Sequence, residues 1–373
     1  MLAYTVRRLC LIPLTLLGII AVNFLFVQLA PGGPIEQILA RLNGLDTSAT
    51  ARISGAGGGE THMAAPGDAR RPGGTAGAPA SKYRGAQGLD PAFIAELERQ
   101  MGFDQPPLVR FWKMARSYAV FDLGKSYFRD VGVARLILEK LPVSASLGIW
   151  STLLIYLISI PLGVRKAVRD GSRFDVATSW AIIVGHAVPG FLFAILLIIV
   201  FAGGRYLDWF PLRGLTSDNW ADLTWPARIA DYAWHLALPV TALTIGGFAS
   251  LTMLTKNAFL EEINKQYVLT ARAKGLSPGR ILYGHVFRNA MLVVIAGFPA
   301  ALIGMLFTGS VLIEVIFSLD GIGLLGFEAA MNRDYPVMFG TLYAFSLLGL
   351  ILSLASDLTY HFVDPRIDFE ARD

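Results

Sequence analysis

Residues 266–290 read QYVLTARAKGLSPGRILYGHVFRNA, a polar and basic stretch set between two long apolar runs. Arg272, Lys274, Arg280 and Arg288 supply positive charge. Gly275 and Gly279 are expected to break the stretch into two short helical pieces, because glycine disfavours a helix interior. A loop that carries its own helices is more than a tether between spans. Its size and chemistry suit docking into another protein on the cytoplasmic side of a membrane.

The rest of the chain is composed for a bilayer. It is 54% hydrophobic and 16% charged, with a mean hydropathy of +0.52, whereas soluble domains carry about 25% charged residues. The composition predicts a polytopic membrane protein. A formal charge of +4 does not require a nucleic-acid partner, since Lys and Arg in short cytoplasmic loops account for much of it. With Cys10 as its single cysteine, the chain has neither an internal disulfide nor a multi-cysteine metal site.

Six runs are long enough to cross a hydrocarbon core, which takes about 20 apolar residues. They are Leu9–Ala30, Val143–Val164, Val176–Ala202, His235–Thr255, Ala290–Phe317 and Val337–Val363. The first follows Arg7-Arg8 but is too long for a signal-peptide core of about 7–15 residues, and no small-x-small cleavage site follows it. It is read as a retained span. Pro161, Pro189, Pro239 and Pro299 lie at or inside spans, where neighbouring helices satisfy the freed backbone groups.

Basic residues set the orientation. Arg7 and Arg8 precede span one, Arg165, Lys166, Arg169 and Arg173 fill the link between spans two and three, and six more cations run from Lys256 to Arg288. The alternate loops are poorer in positive charge. Both termini and the loop at 257–289 are therefore expected on the cytoplasmic side. The segment 31–140 is too long for that rule and is expected outside. Within it, 44–88 is rich in Gly, Ala, Pro and Ser without an apolar period and reads as a flexible insertion. From 90 to 140 a helical platform is expected. Asp90-Pro91 opens a helix with Phe93, Ile94, Leu97 and Met101 on one face, Pro106-Pro107 ends it, and Leu108–Val120 forms a second.

Apparent catalytic signals do not survive inspection. Gly124-Lys125-Ser126 resembles the end of a phosphate-binding loop, but Ala119 stands where the motif needs its first glycine, so the segment reads as a turn. The histidines form no HExxH pattern, no GxSxG elbow exists, and neither a metal site nor a catalytic site is expected. Glu314 and Asp357 lie within spans, where ionisable groups are functional candidates. A cation-coupled transporter could use them, but two isolated acids do not make a relay, and each can instead accept hydrogen bonds from neighbouring helix groups.

Thr270-Ala-Arg-Ala-Lys-Gly275, followed by His285-Val-Phe-Arg288-Asn-Ala, resembles the cytoplasmic signature loop of ABC-importer permeases. It is most similar to the B-type subunit of dipeptide and oligopeptide importers, in particular the Yej-type branch. Further matching segments are Pro31-Gly-Gly-Pro34, Phe121-Asp-Leu-Gly124-Lys-Ser, Leu141-Pro142, Glu314-Val-Ile-Phe317-Ser with Gly321-Ile-Gly323, Arg333-Asp-Tyr-Pro336 and Asp364-Pro-Arg-Ile367. The chain departs from the general signature, with Leu269-Thr270-Ala271 where Glu-Ala-Ala is usual and His285-Val-Phe-Arg288 where Ile-x-Leu-Pro is usual. The peptide-permease branch shares that drift.

The resemblance implies an all-α polytopic membrane protein with six transmembrane helices, a helical external subdomain and the type I ABC importer permease fold. It divides the chain into span one at 1–30, the external region at 31–140, the permease core at 141–363 and a cytoplasmic terminus at 364–373. Thr270, Ala271, Arg272, Ala273, Lys274, Gly275, His285 and Arg288 would couple to an ATPase. Glu314, Phe317, Gly321, Gly323, Arg333 and Asp334 would form an outer gate or receive a binding protein. The implied partners are a second homologous permease, ATP-binding subunits and a periplasmic peptide-binding protein, in a bacterial inner membrane. No cofactor is expected on this chain, and ATP-Mg would sit on the ATPase subunits. The alternative, an ion-coupled secondary transporter, would usually show inverted repeats, and none is evident.

Overall fold

The computed structural model describes residues 2–29, 35, 38, 91–100, 103–204, 206–307 and 311–363. The Pro31-Gly-Gly-Pro34 segment, the 44–88 insertion and the 364–373 terminus lie outside them. The elements are α1 (Leu2–Leu29), α2 (Pro91–Gln100), α3 (Pro107–Ala119), α4 (Val133–Val168), α5 (Arg173–Ala187), α6 (Gly190–Phe201), α7 (Trp225–Ile263), α8 (Gln266–Ala273) and α9 (Pro278–Ile281). A π-helical turn, Leu282–Val286, leads into α10 (Phe287–Ala296). Then follow α11 (Phe298–Phe307), α12 (Val311–Ile316), α13 (Ile322–Asn332) and α14 (Tyr335–Val363). Among the described residues, the only β contact is an isolated bridge between Lys125 and Gly132.

Five helical stretches are long and apolar enough to cross a membrane, and six spans result if α5 and α6 count as one. The span expected over 176–202 is this pair, and its two helices meet at 93°. The cause is local. Pro189 offers no N–H and pushes Val188 out of the helical region, to φ −83° and ψ 120°. Pro142, Pro161 and Pro239 are accommodated inside α4 and α7. The fourth span also differs from the apolar run that announced it: α7 has 39 residues, about 58 Å at 1.5 Å each, well beyond a hydrocarbon core of about 30 Å. Its polar last turns therefore lead directly towards the 266–290 loop. Likewise α4 begins at Val133, so the end of the expected platform forms the first turns of the second span.

The chain forms two compact units. One comprises Met1–Thr15, Leu138–Leu324 and Ala344–Asp373, the other Leu16–Ile137 and Leu325–Tyr343. In the first, one apolar cluster joins Leu147 of α4, Leu236 and Ala242 of α7, and Ile313 and Phe317. A second joins Ile155 and Val164 to Phe259, Val268, Ile281, Met291 and Val294. Helices α4 and α7 approach closely at glycines: a Cβ on Gly163 would stand 2.6 Å from Thr255 Cβ, and one on Gly247 2.6 Å from Ile155 Cδ1. In the second unit Tyr118, Leu123, Val133, Phe339 and Tyr343 are buried, and the Tyr343 hydroxyl donates to the Tyr118 carbonyl at 3.2 Å.

An ion cluster crosslinks α4, α5 and α7. Lys166 is fully buried. Its Nζ lies 2.9 Å from Asp175 Oδ1 and donates to Ser179 Oγ at 2.7 Å and Thr178 Oγ1 at 2.9 Å. Lys256 Nζ reaches Asp175 Oδ2 and Asp170 Oδ1, each at 2.8 Å. Asp175→Ala leaves two lysines facing each other without their shared anion, and removing one partner of a buried pair costs about 3–5 kcal/mol. The expected outcome is a clearly lowered thermal unfolding midpoint for the detergent-solubilised chain. Arg99→Ala, at an exposed pair with Glu96, should shift the midpoint little, since such pairs contribute about 0–1 kcal/mol.

Candidate functional site

The 266–290 loop is a ridge on a fixed base. On α8, Val268 and Ala271 are buried, while Leu269, Thr270, Arg272 and Ala273 face outward. Beyond the helix Lys274 and Gly275 are exposed, as are Arg280, Tyr283, His285 and Arg288, whereas Ile281 and Val286 are buried. Seven of the eight expected coupling residues thus lie on one exposed stretch of chain, and Ala271 is instead part of the base. Sequence reasoning missed Leu269 and Tyr283, which stand 58% and 67% exposed among the cations. Their signal was two large apolar residues off the buried face of short helices.

Gly275 ends α8 as expected. With φ +80°, its N–H donates to the Arg272 carbonyl at 2.9 Å and the Leu276 N–H returns to Ala271 at 3.2 Å. This is the paired closure that caps a helix through a left-handed residue. Gly279 does not break the chain: it lies inside α9, which runs through the π turn into α10. Pro278 opens that helix, where its missing N–H costs nothing. His285 and Arg288 therefore belong to a helix continuous with the fifth span, whose apolar stretch extends from Pro278 to Gly304.

Polar contacts pin the base. Tyr267 donates to Glu262 Oε2 at 2.8 Å, and Glu262 also takes Lys265 and Asn289. Burial and the Glu262 carboxylate raise the Tyr267 hydroxyl above its ordinary pKa, and the bond to Glu262 raises Lys265. The rings of Phe259 and Phe287 meet edge to face at 5.7 Å.

The second group of expected residues forms two clusters. Glu314 is fully buried. It accepts from Ser144 Oγ at 2.9 Å and from the Leu324 N–H at 2.7 Å, and Ser144 Oγ accepts from the Ile322 N–H at 2.8 Å. A carboxylate thereby caps α13, whose first N–H groups have no partner within the helix. Gly321 is required there, because a Cβ at that position would collide with the Glu314 carboxyl group. Phe317 is buried, and Gly323 is half-buried. In the other unit, Asp334 is buried and accepts from Ser126 Oγ and from the Tyr127 N–H at 3.2 Å. Burial, with Asp334 beside it, pushes the Tyr127 hydroxyl up to about 12. Arg333 adopts φ +56° at the end of α13. The segments around Ser126 and Asp334, 208 positions apart, are thus one structure. Gly124-Lys125-Ser126 is a turn, with Gly124 at φ +74° and Lys125 3.5 Å from Asp130. Asp357 accepts from Arg8 at 2.9 Å and Tyr4 at 3.1 Å.

Between α4, α7 and α11 lies a cavity of about 700 Å³. Its walls are apolar and rich in glycine, with Gly190, Gly246, Gly247, Gly297 and Gly304 among them. The Thr152 hydroxyl on its wall is buried without a hydrogen-bond partner among the described residues. Among the described residues, no group of three His, Cys, Asp or Glu side chains is placed to hold a metal ion.

The family described as binding-protein-dependent transport system inner membrane component matches residues 159–369, more than half of the chain. The chain belongs to that family. A peptidoglycan transport system permease protein YejB of Agrobacterium fabrum is 58% identical over 371 residues, covering 100% of this chain and 99% of the relative. An inner membrane ABC transporter permease protein YejB of Escherichia coli O157:H7 is 58% identical over 370 residues, covering 99% and 100%. The oligopeptide transport system permease protein AppB of Bacillus subtilis is 35% identical over 287 residues, covering 75% and 88%. The likeness to the Yej-type branch read from the motifs is therefore shown, and the first two alignments take in the Gly-rich stretch as well. The relatives are transport permeases rather than enzymes.

The two loop glycines separate strain from space, since neither has a neighbour within 4 Å of an added Cβ. Gly275→Ala should loosen the α8 cap by about 1–2 kcal/mol, the cost of a left-handed non-glycine residue. Gly279→Ala should stabilise its helix by up to about 1 kcal/mol. Amide hydrogen exchange across 266–290 should rise in the first variant and fall in the second.

Proposed function

We infer that this chain is one of two permease subunits in an ATP-driven importer of short peptides or peptide-like compounds. The supporting observation is full-length identity of 58% to YejB permeases, one of them named for peptidoglycan, with an oligopeptide permease at 35%. Peptidoglycan itself carries short peptides, so the two names agree in chemistry. Family membership does not favour the ion-coupled alternative.

In this reading the membrane is the bacterial inner membrane, with both termini and the 266–290 loop cytoplasmic and the 31–140 region periplasmic. A second homologous permease completes the path, ATPase subunits hydrolyse ATP-Mg, and a periplasmic binding protein delivers substrate. The exposed ridge of α8 docks on the ATPase. Leu269 and Tyr283 supply apolar contact, while Arg272, Lys274, Arg280 and Arg288 select an acidic rim. Because the base of the ridge is packed into α7 and α10, nucleotide-driven movement of the ATPase passes to the spans as rigid-body motion. The Glu314 and Asp334 clusters fix the outer segments that gate the path.

Two variants test the coupling role. Gly275→Trp should abolish peptide uptake in proteoliposomes while leaving the chain in the membrane. Arg272→Glu with Lys274→Glu should weaken recovery of co-purified ATPase subunits about tenfold, a loss of about 1.4 kcal/mol. Normal uptake and undiminished recovery of the ATPase would remove the loop from the mechanism.

A further inference from the structure

The unit formed by Leu16–Ile137 and Leu325–Tyr343 contains a second cavity, of about 750 Å³, none of whose residues the coupling loop or the Glu314 cluster uses. That volume is within the range of about 300–1,000 Å³ typical of small-molecule sites. Arg110 of α3 lines it. The guanidinium carbon lies 4.6 Å from the centroid of the Phe103 ring and 6.0 Å from that of Phe24. Nη2 donates to Gln28 Oε1 at 2.9 Å. These contacts hold the planar group in place, yet its Nε is buried with no hydrogen-bond partner among the described residues. A buried donor left without an acceptor is costly, more so on a charged group.

The charges around the cavity are unevenly satisfied. Lys125 pairs with Asp130 and Arg99 with Glu96, and Asp122 accepts the Gly124 N–H at 3.1 Å. Asp104, Asp122 and Asp130 line the cavity along with the cations, and Asp104 is exposed. Lys113, one turn from Arg110 on the same helix, also lines the space. An aromatic-walled pocket with a fixed guanidinium, an unfilled donor and a second cation nearby matches a planar anion that accepts two parallel hydrogen bonds. A carboxylate has that shape.

We propose that this cavity receives the C-terminal carboxylate of a peptide, held by Arg110 with Lys113 in support. The site rests on the peptide-importer reading and adds to it a contact made by the permease itself, in the unit that also carries the Ser126–Asp334 cluster. Aromatic walls around the guanidinium would take the adjoining side chain with little discrimination.

The test uses the full chain in lipid nanodiscs, without a binding protein, and radiolabelled trialanine as the probe, either as free acid or as C-terminal amide. Wild type should bind the acid about tenfold or more tightly than the amide, the scale of a charged hydrogen-bond pair. Arg110→Gln should erase that preference, and Lys113→Gln should reduce it about threefold, the scale of an exposed charge pair. Equal binding of acid and amide by wild type overturns the proposal, as does an intact preference in Arg110→Gln. Should Arg110→Gln fail to elute as a folded species, Lys113→Gln decides, because that side chain is exposed and an unchanged preference there overturns the site. Uptake by the assembled transporter separates the two readings. Import of trialanine alongside equal binding of acid and amide leaves the peptide importer standing and removes the pocket, whereas no peptide import removes both.

Discussion

Val268 and Ala271 of α8 are buried in the same apolar cluster as Phe259 of α7 and Met291 and Val294 of α10, and the mechanical behaviour of the loop follows from that burial. A solvated tether would move independently of the spans. A helix whose inner face is packed cannot, because close-packed interiors transmit displacement rather than absorb it. The Tyr267–Glu262 bond and the Phe259–Phe287 contact brace the same junction. The outer face, with its exposed cations, takes no part in that packing. This division explains why the motif mixes small apolar positions with cations, and why its glycine sits at the one position where the chain must turn left-handed.

The same logic applies deeper in the chain, under a different solvent. In a bilayer the apolar effect does not drive helices together, so association depends on close packing and on satisfied polar groups. Gly163 and Gly247 let α4 and α7 approach until a single added carbon would collide. Leu157, Trp180, Ile183 and Val184 remain exposed, as expected of side chains that face lipid. Gly246 and Gly304, which line the cavity between α4, α7 and α11, serve an opposite end, since there they leave space open. Walls dominated by glycine and apolar side chains offer few fixed polar contacts.

Much of this was legible in the sequence. The thickness of the bilayer dictates the length of the six apolar runs, and the break at Gly275 follows from its position after a short helical pattern. The family was readable because several short motifs recur together along the chain. Other features were out of reach for physical reasons. The 93° bend between α5 and α6 is invisible to a hydropathy window, because Pro189 leaves the run apolar. Gly279 looked like a second break, but Pro278 before it starts a helix strong enough to contain it. The partnership of Ser126 with Asp334 and that of Ser144 with Glu314 bridge 208 and 170 positions, and a periodicity reports only on neighbours in the chain. Glu314 was flagged as a buried acid, yet nothing local says that Gly321 makes room for its carboxylate.

Four buried or half-buried carboxylates share one task that clarifies what they are for. Asp175 accepts the Gly171 N–H at 3.2 Å, Asp231 the Ser217 N–H at 2.9 Å, Glu314 the Leu324 N–H at 2.7 Å and Asp334 the Tyr127 N–H at 3.2 Å. Each fixes a turn or helix start whose amides would otherwise lack acceptors, at a place where the chain leaves a span or re-enters one. An ionised carboxylate accepts such bonds more strongly than a neutral group, which makes it an efficient fastener in a chain with few charges. Each also takes a lysine, as Asp175 does, or a serine hydroxyl, as Asp231, Glu314 and Asp334 do, so their lone pairs are largely occupied. A carboxylate that shuttles protons must instead exchange partners during its cycle. These acids are placed to hold loops still.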